Sequence, residues 1–162
     1  MAPPDLDHAH FLRRAFTVAE ETAAEGSHPF GCILVDGAGR VVMEQGNAYL
    51  PHRDMTGHAE RVLATRASQA FRPPELMDAT LYTSAEPCAM CAGAAYWAGI
   101  GRIVYGLSEH RLKQITGDHP ENPTLDLPCR TVLASGQRVV EVIGPMLEDE
   151  AAVIHERFWA QR

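Results

Sequence analysis

The chain has 162 residues, of which 46% are hydrophobic and 22% charged, and its formal net charge at pH 7 is −7. This length and composition are typical of one globular domain, so we expect residues 1–162 to form a single domain. Lys113 is the single lysine, and the arginines are scattered without a cluster. Nucleic-acid binders concentrate Lys and Arg on one surface, so the composition argues against a nucleic-acid partner and favours a small neutral substrate.

The sequence predicts neither an export signal nor a membrane span. Residues 1–7 lack the basic start and apolar run of a signal peptide, and no later apolar run approaches ~20 residues. We therefore expect no membrane association and a cytoplasmic protein. In a reducing cytosol, metal ligation accounts for a Cys-x-x-Cys pair better than disulfides do, and Cys32 and Cys129 are predicted to be buried thiols.

The first third of the chain predicts a helix, a hairpin and a loop. Apolar residues at helical spacing predict an amphipathic helix over residues 8–25. Two short apolar runs, residues 30–35 and 41–45, flank the turn sequence Asp36-Gly37-Ala38-Gly39 and predict a β-hairpin. Residues 47–56 have no regular period and are predicted to be a loop.

After Gly57 the pattern becomes one of strands separated by helices. The predicted elements are a helix that ends at Pro73-Pro74, a strand at 79–83, a helix from Cys88, a strand at 102–105, a short helix at 128–134, a last strand at 139–143 and a terminal helix from Glu148. Residues 108–127 are predicted to form a partly helical insertion and a loop, where an active-site lid would lie. This order predicts a three-layer α/β/α sandwich around a five-stranded mixed sheet.

Two short motifs carry the residues of a candidate metal site. Cys88 and Cys91 are three residues apart after a proline, so a helix that begins there places both thiols on its first turn, where the positive helix end favours thiolates. His58 would supply a nitrogen ligand, and three protein ligands with a water are the pattern of a catalytic zinc. Glu60 remains free to carry protons, although a capping acid at a helix start would have the same sequence.

His58-x-Glu60 and Pro87-Cys88-x-x-Cys91 together form the signature of zinc-dependent nucleobase deaminases. With Pro29-Phe-Gly-Cys-Ile-Leu-Val35, Gly46-Asn47 and Cys91-Ala-Gly-Ala-Ala-Tyr-Trp97, the chain resembles the cytidine deaminase-like superfamily over nearly its whole length, and most closely the bacterial guanine deaminases. The resemblance implies the same sandwich fold, a zinc ion, a homodimer, and catalytic loss of ammonia from a free base.

Guanine, or a related purine or aminotriazine, is the substrate that the resemblance implies first. Deamination of cytosine or cytidine and editing of tRNA adenosine are the alternatives within the same chemistry. A structural zinc site in a non-catalytic interaction domain is the alternative from a different class.

Five further residues are predicted to contact the substrate. The family uses an asparagine at the position of Asn47, whose amide would hydrogen-bond the base edge, although a turn-forming asparagine is the alternative. Phe30 would form one wall of the pocket unless it only packs in the core. Trp97 and the C-terminal pair Phe158 and Trp159 would form the other aromatic walls, since stacking suits a planar ring. The resemblance implies that the end of the chain closes the pocket, either its own or that of the partner subunit. Packing of the terminal helix also accounts for Phe158.

A second carboxylate assists proton transfer in guanine deaminases, and its counterpart here is predicted from distance along the chain. Asp118 is the nearest acid at that distance, with Glu121 and Asp126 as alternatives. Glu109 and His110 receive no predicted role, because a solvated helix start accounts for both.

Overall fold

Five strands form one mixed sheet in the computed structural model, which describes residues 5–162. The strands are β1 (Gly31–Val35), β2 (Val41–Gly46), β3 (Thr80–Ala85), β4 (Arg102–Leu107) and β5 (Glu141–Ile143). Their order across the sheet is β2-β1-β3-β4-β5. Strand β1 is antiparallel to β2 and β3, whereas β3, β4 and β5 are parallel. The predicted five-stranded mixed sheet is therefore confirmed.

Helices cover both faces of this sheet. Those in the described residues are α1 (His8–Ala24), α2 (Ala59–Ala70), α3 (Pro73–Met77), α4 (Ala89–Ala98), α5 (Glu109–Thr116), α6 (Cys129–Ala134) and α7 (Glu148–Ala160). Helices α1, α5 and α7 bury their apolar residues against one face, and α2, α3, α4 and α6 against the other. The predicted three-layer α/β/α sandwich is confirmed.

The sheet alternates its side chains between the two cores. Ile33 and Val35 of β1 belong to the core under α1, whereas Cys32 and Leu34 belong to the core under α2 and α4. Helix α1 lies so close to β1 that a Cβ atom at Gly31 would collide with the backbone nitrogen of Ala19. Each fully buried aliphatic side chain contributes about 1.5–3 kcal/mol to folding, so both cores hold the sheet in place.

One edge of the sheet gathers the chain segments that carry the predicted site. Since β3 and β4 are parallel, both end at this edge, and the residues after them begin α4 and α5. Since β1 is antiparallel to β3 and β2, the start of β1 and the end of β2 lie at the same edge. Phe30, Asn47, Cys88 and Glu109, far apart in sequence, therefore meet here.

One local difference from the sequence prediction has a simple cause. Pro73-Pro74 ends α2 as predicted, but the pair also begins the short helix α3, since proline is well suited to the first helical turn.

No helix within the described part of the chain combines the length and apolarity needed to cross a membrane. Residues 1–4, part of the start predicted to lack an export signal, lie outside the described residues.

Candidate active site

Two helix starts bring the three predicted zinc ligands together. His58 and Cys88 immediately precede α2 and α4, and Cys91 lies in the first turn of α4. The Nδ1 atom of His58 is 3.5 Å from Sγ of Cys88 and 3.6 Å from Sγ of Cys91. In a tetrahedral zinc site with Zn–N of about 2.05 Å and Zn–S of about 2.3 Å, such atoms are about 3.5 Å apart. These side chains therefore fit a zinc ion, and the group could bind the predicted metal.

The two thiols differ in their electrostatic environment. Contacts with Cys91 and then His58 lower the pKa of the Cys88 thiol, whereas contact with Cys88 and burial raise the pKa of the Cys91 thiol. A zinc ion overrides this difference, because a thiol that coordinates zinc is deprotonated outright. The positive start of α4 stabilises both thiolates further.

Glu60 lies in the first turn of α2 and is only 5% exposed. Its Oε1 atom has no hydrogen-bond partner among residues 5–162, so this oxygen caps no described backbone N–H group. Burial raises the pKa of the carboxyl to about 7, although His58 opposes the shift. The side chain lines the cavity beside the metal group, where a carboxyl of this kind can accept and return a proton at neutral pH.

The metal group opens onto a cavity of about 280 Å³. Asn47 and Phe30, both predicted substrate contacts, line this cavity. The Oδ1 atom of Asn47 accepts the backbone N–H of Tyr49 at 2.8 Å, which leaves the amide nitrogen available to donate into the cavity. The alternative turn role and the substrate role are therefore compatible, since one atom of the amide serves each. The contact of Asn47 and Phe30 with a base stays a prediction.

Four acids line the cavity, and its described lining includes no lysine or arginine. The acids are Glu60, Glu86, Glu109 and Glu121. Glu86 has a structural role, since its two carboxylate oxygens accept the backbone N–H groups of Glu109 at 3.0 Å and Cys129 at 2.8 Å. It thereby fixes the starts of α5 and α6 against the end of β3.

The structure places Trp97 away from the cavity. Its side chain lies on the surface of α4, 85% exposed, with its ring 5.6 Å from that of Tyr96. Trp97 is not among the residues that line the cavity. Trp97 therefore lies outside this chain's own cavity, and its contact with a substrate stays a prediction.

The C-terminal aromatic pair lies behind the cavity wall rather than in it. Trp159 is buried, donates its Nε1–H to Nδ1 of His155 at 3.1 Å, and packs its ring 5.6 Å from that of His28. Phe158 packs under the guanidinium of Arg162, 4.3 Å from its ring centre. Of these residues only His28 lines this chain's own cavity. Contact of Phe158 and Trp159 with a substrate therefore stays a prediction.

The acid predicted as the second proton carrier also lies outside the cavity. Asp118 is exposed in the loop after α5 and does not line the cavity. Asp126, one alternative, pairs on the surface with His110 and Lys113. Glu121, the other alternative, does line the cavity.

The loop after α5 closes one side of the cavity and forms a salt bridge with the C-terminal residue. Residues 121–125 line the cavity. Glu121 accepts from Arg162 at 3.1 Å and lies 3.4 Å from the ring of His28. Arg162 also donates to the carbonyl of Gly26 at 3.3 Å. The lid position predicted for this segment agrees with its place here.

Sequence reasoning missed several lining residues, among them the polar residues Glu86, Glu109 and His28. A signal for Glu109 was present, since it lies two residues after the end of β4, which is parallel to the strand that leads to Cys88. His28 carried no comparable signal, because it lies in an irregular segment before β1.

Comparison with known proteins agrees with this geometry. A family model described as the cytidine and deoxycytidylate deaminase zinc-binding region matches residues 6–107. A probable cytosine deaminase of Schizosaccharomyces pombe is 43% identical over 149 residues, covering 92% of this chain and 90% of that protein. A tRNA-specific adenosine deaminase of Haemophilus influenzae is 33% identical over 122 residues, 72% of this chain and 70% of that protein. The solved guanine deaminase from Nitrosomonas europaea has a TM-score of 0.77 at 23% identity, covering 99% of this chain and 86% of that one.

Proposed function

Because the chain belongs to the family of zinc-binding cytidine and deoxycytidylate deaminases, we propose that it removes the exocyclic amine of a free heterocyclic base as ammonia. The observation that carries the choice of a free base is the cavity. Its volume, about 280 Å³, is at the small end of the ~300–1,000 Å³ range of ligand pockets. A single base fits such a space better than a nucleotide does.

The charges of the cavity support the same choice. Its described lining carries four acids and neither lysine nor arginine. Phosphate groups are typically bound by Lys and Arg side chains. A tRNA or a free nucleotide would bring phosphates towards a cavity whose described lining offers neither, so we place tRNA editing below base deamination, in agreement with the net charge of −7.

The residues have distinct roles in the proposed reaction. His58, Cys88 and Cys91 would hold zinc, which supplies Lewis-acid activation of water at neutral pH. Glu60 would take a proton from the attacking water and pass it to the ring nitrogen beside the reacting carbon. It would then take the proton of the hydroxyl group formed on that carbon and pass it to the departing amine, which leaves as ammonia. The amide nitrogen of Asn47 would donate to a carbonyl of the base, and Phe30 would pack against its ring.

Cytosine is the first candidate base. The relative that is a probable cytosine deaminase aligns over 149 residues, so its similarity extends through most of the segment after β4 that walls the cavity. Guanine is the second candidate, because the motifs around Asn47 and Cys91 resemble those of bacterial guanine deaminases. The exposed position of Trp97 removes one aromatic wall that a bicyclic base was expected to use.

A screen for ammonia release tests the proposal. Zinc-loaded protein is incubated with cytosine, guanine, adenine, an aminotriazine, cytidine, guanosine and a tRNA anticodon stem-loop. We expect turnover of at least one free base, with kcat/KM for its nucleoside lower by about 100-fold or more, since two or three lost or clashing contacts cost this much. Turnover of the nucleosides or the stem-loop in preference to every base would contradict the proposal.

We also propose that the chain forms a homodimer, as the resemblance implied. Trp97 and Val139 are 85% and 90% exposed, and apolar side chains of this size on a surface are typical of protein contacts. Sedimentation equilibrium at micromolar concentration is expected to give twice the 17.7 kDa mass of one chain. Replacing both residues by serine should shift the equilibrium to monomer, and a wild-type monomer would contradict the proposal.

A further inference from the structure

Glu109 has the position of a ligand-binding residue without a role in the reaction described above. It is the first residue of α5, is 6% exposed, and contributes to the lining of the cavity. No hydrogen bond from residues 5–162 reaches its carboxyl oxygens in the structure, although its backbone N–H is bound to Glu86 at 3.0 Å. Its carboxyl oxygens are not among the fully buried atoms without a partner, so they keep access to the cavity, where a ligand can bind them.

The usual structural role of an acid at a helix start is already filled by other residues. The Oγ atom of Ser108 accepts the N–H of Arg111 at 3.2 Å, and Oε1 of Glu86 accepts the N–H of Glu109. These two bonds satisfy donors in the first turn of α5, and the Glu109 carboxyl takes part in neither. Its side chain is therefore not needed to begin the helix.

The surroundings of Glu109 also lack a described cation that would pair with it. Burial raises the pKa of its carboxyl to about 9, and the nearby Glu86 acts in the same direction. Glu121 differs, because Arg162 and His28 contact its carboxylate. A neutral carboxylic acid has one O–H donor and one carbonyl acceptor, which together match a ring N–H beside a carbonyl or ring nitrogen.

We propose that Glu109 is a specificity-determining residue that binds the base through a paired donor and acceptor edge. This inference rests on the proposed function and deepens it. The substrate class it selects is a neutral heterocycle with an N–H beside a carbonyl, on the side of the ring away from the reacting amine. In cytosine this edge is N1–H with the C2 carbonyl, and N1 is the atom that carries the sugar in a nucleoside. Glu109 would thus contribute to the preference for the free base.

Two substitutions separate this role from a structural one. Glu109→Gln keeps a donor and an acceptor, so we expect kcat/KM for the preferred base within about fivefold of wild type. Glu109→Leu removes both, and two hydrogen bonds of ~0.5–1.5 kcal/mol each correspond to a loss of about 5- to 150-fold, mainly through KM. The unfolding free energy of the leucine variant should not fall, because an unpaired buried acid is replaced by an apolar side chain. Asp149→Asn is the control, since Asp149 is an exposed acid that contacts the same helix through Arg111.

The readout specific to edge recognition is the ratio of kcat/KM for cytosine over 1-methylcytosine, or for the preferred base over its matching N-methyl analogue. The ratio should fall at least tenfold in Glu109→Leu and persist in Glu109→Gln and Asp149→Asn. Wild-type turnover with an unchanged KM and ratio in Glu109→Leu, or equal losses in both Glu109 variants, would overturn this inference and leave the proposed function intact. A wild-type chain that deaminates no base in the screen overturns the proposed function and this inference with it.

Discussion

Replacing Glu60 by glutamine is expected to lower kcat for the preferred base by about 10²–10⁴-fold, the contribution of a general acid–base group. Glutamine keeps the size of the side chain but cannot accept and return a proton. Zinc content should stay at the wild-type value, because Glu60 is not one of the three clustered ligands. Ammonia release under saturating base and metal analysis of the same samples measure both quantities.

A matched control distinguishes catalysis from helix capping. Glu75 lies in the first turn of α3, where its Oε2 accepts the backbone N–H of Arg72 at 2.7 Å. Glu75→Gln should lower stability slightly and leave kcat unchanged. If Glu60→Gln retained full ammonia release with zinc bound, the proton-carrier assignment would be wrong. A zinc-stabilised interaction domain instead predicts no ammonia release from either the variant or the wild type.

The sheet and the helices that cover it follow from local periodicity. Alternating apolar runs and helical stripes predicted the five strands in order, because the faces that must be buried determine the spacing of apolar residues. The site residues meet at one edge of the sheet because of the directions in which the strands run. The sequence pattern of a single strand does not predict this direction. Periodicity alone therefore predicted the elements, whereas the antiparallel pairing of β1 with β3 emerged only from the structure.

Within the site, the sequence predicted the relative positions of residues that are close together in the chain better than those of residues that are far apart. Cys88 and Cys91 meet because three residues nearly complete a helical turn, so their motif encodes its own geometry. Trp97 is six residues after Cys91, which at 3.6 residues per turn places it about 120° around α4 from that cysteine. Helical geometry applied to the sequence therefore places Trp97 off the face of α4 that carries Cys91.

The misplaced acid shows the limit of counting along a loop. Distance from Cys91 along the chain predicts Asp118, but residues after α5 follow an irregular path, and Glu121 rather than Asp118 lines the cavity. Glu109 was missed because an acid at the start of a helix is common on protein surfaces. Its burial depends on Glu86 and on the closing loop, neither of which a local pattern reveals.

Replacing Cys91 by alanine is expected to abolish stable zinc binding, with an affinity loss greater than about 100-fold. Even residues that only support a metal ligand cost 10–100-fold when changed, so loss of a direct ligand should exceed ~100-fold. Wild-type protein should hold about one zinc per chain, and it should gain thermal stability on zinc addition because only the folded state presents all three ligands. Cys91→Ala should lose most of this gain, and ammonia release should fall with the zinc content.

The same chain supplies a control thiol for this measurement. Cys129 is fully buried in α6 and takes no part in the metal group, so Cys129→Ala should keep one zinc per chain although removal of its buried sulfur lowers stability. His58→Ala should behave like Cys91→Ala. Full zinc occupancy in either ligand variant after dialysis against a weak chelator would show that other side chains hold the metal. Because the Nδ1–Sγ distances of 3.5 and 3.6 Å already match a zinc tetrahedron, we expect both variants to lose it.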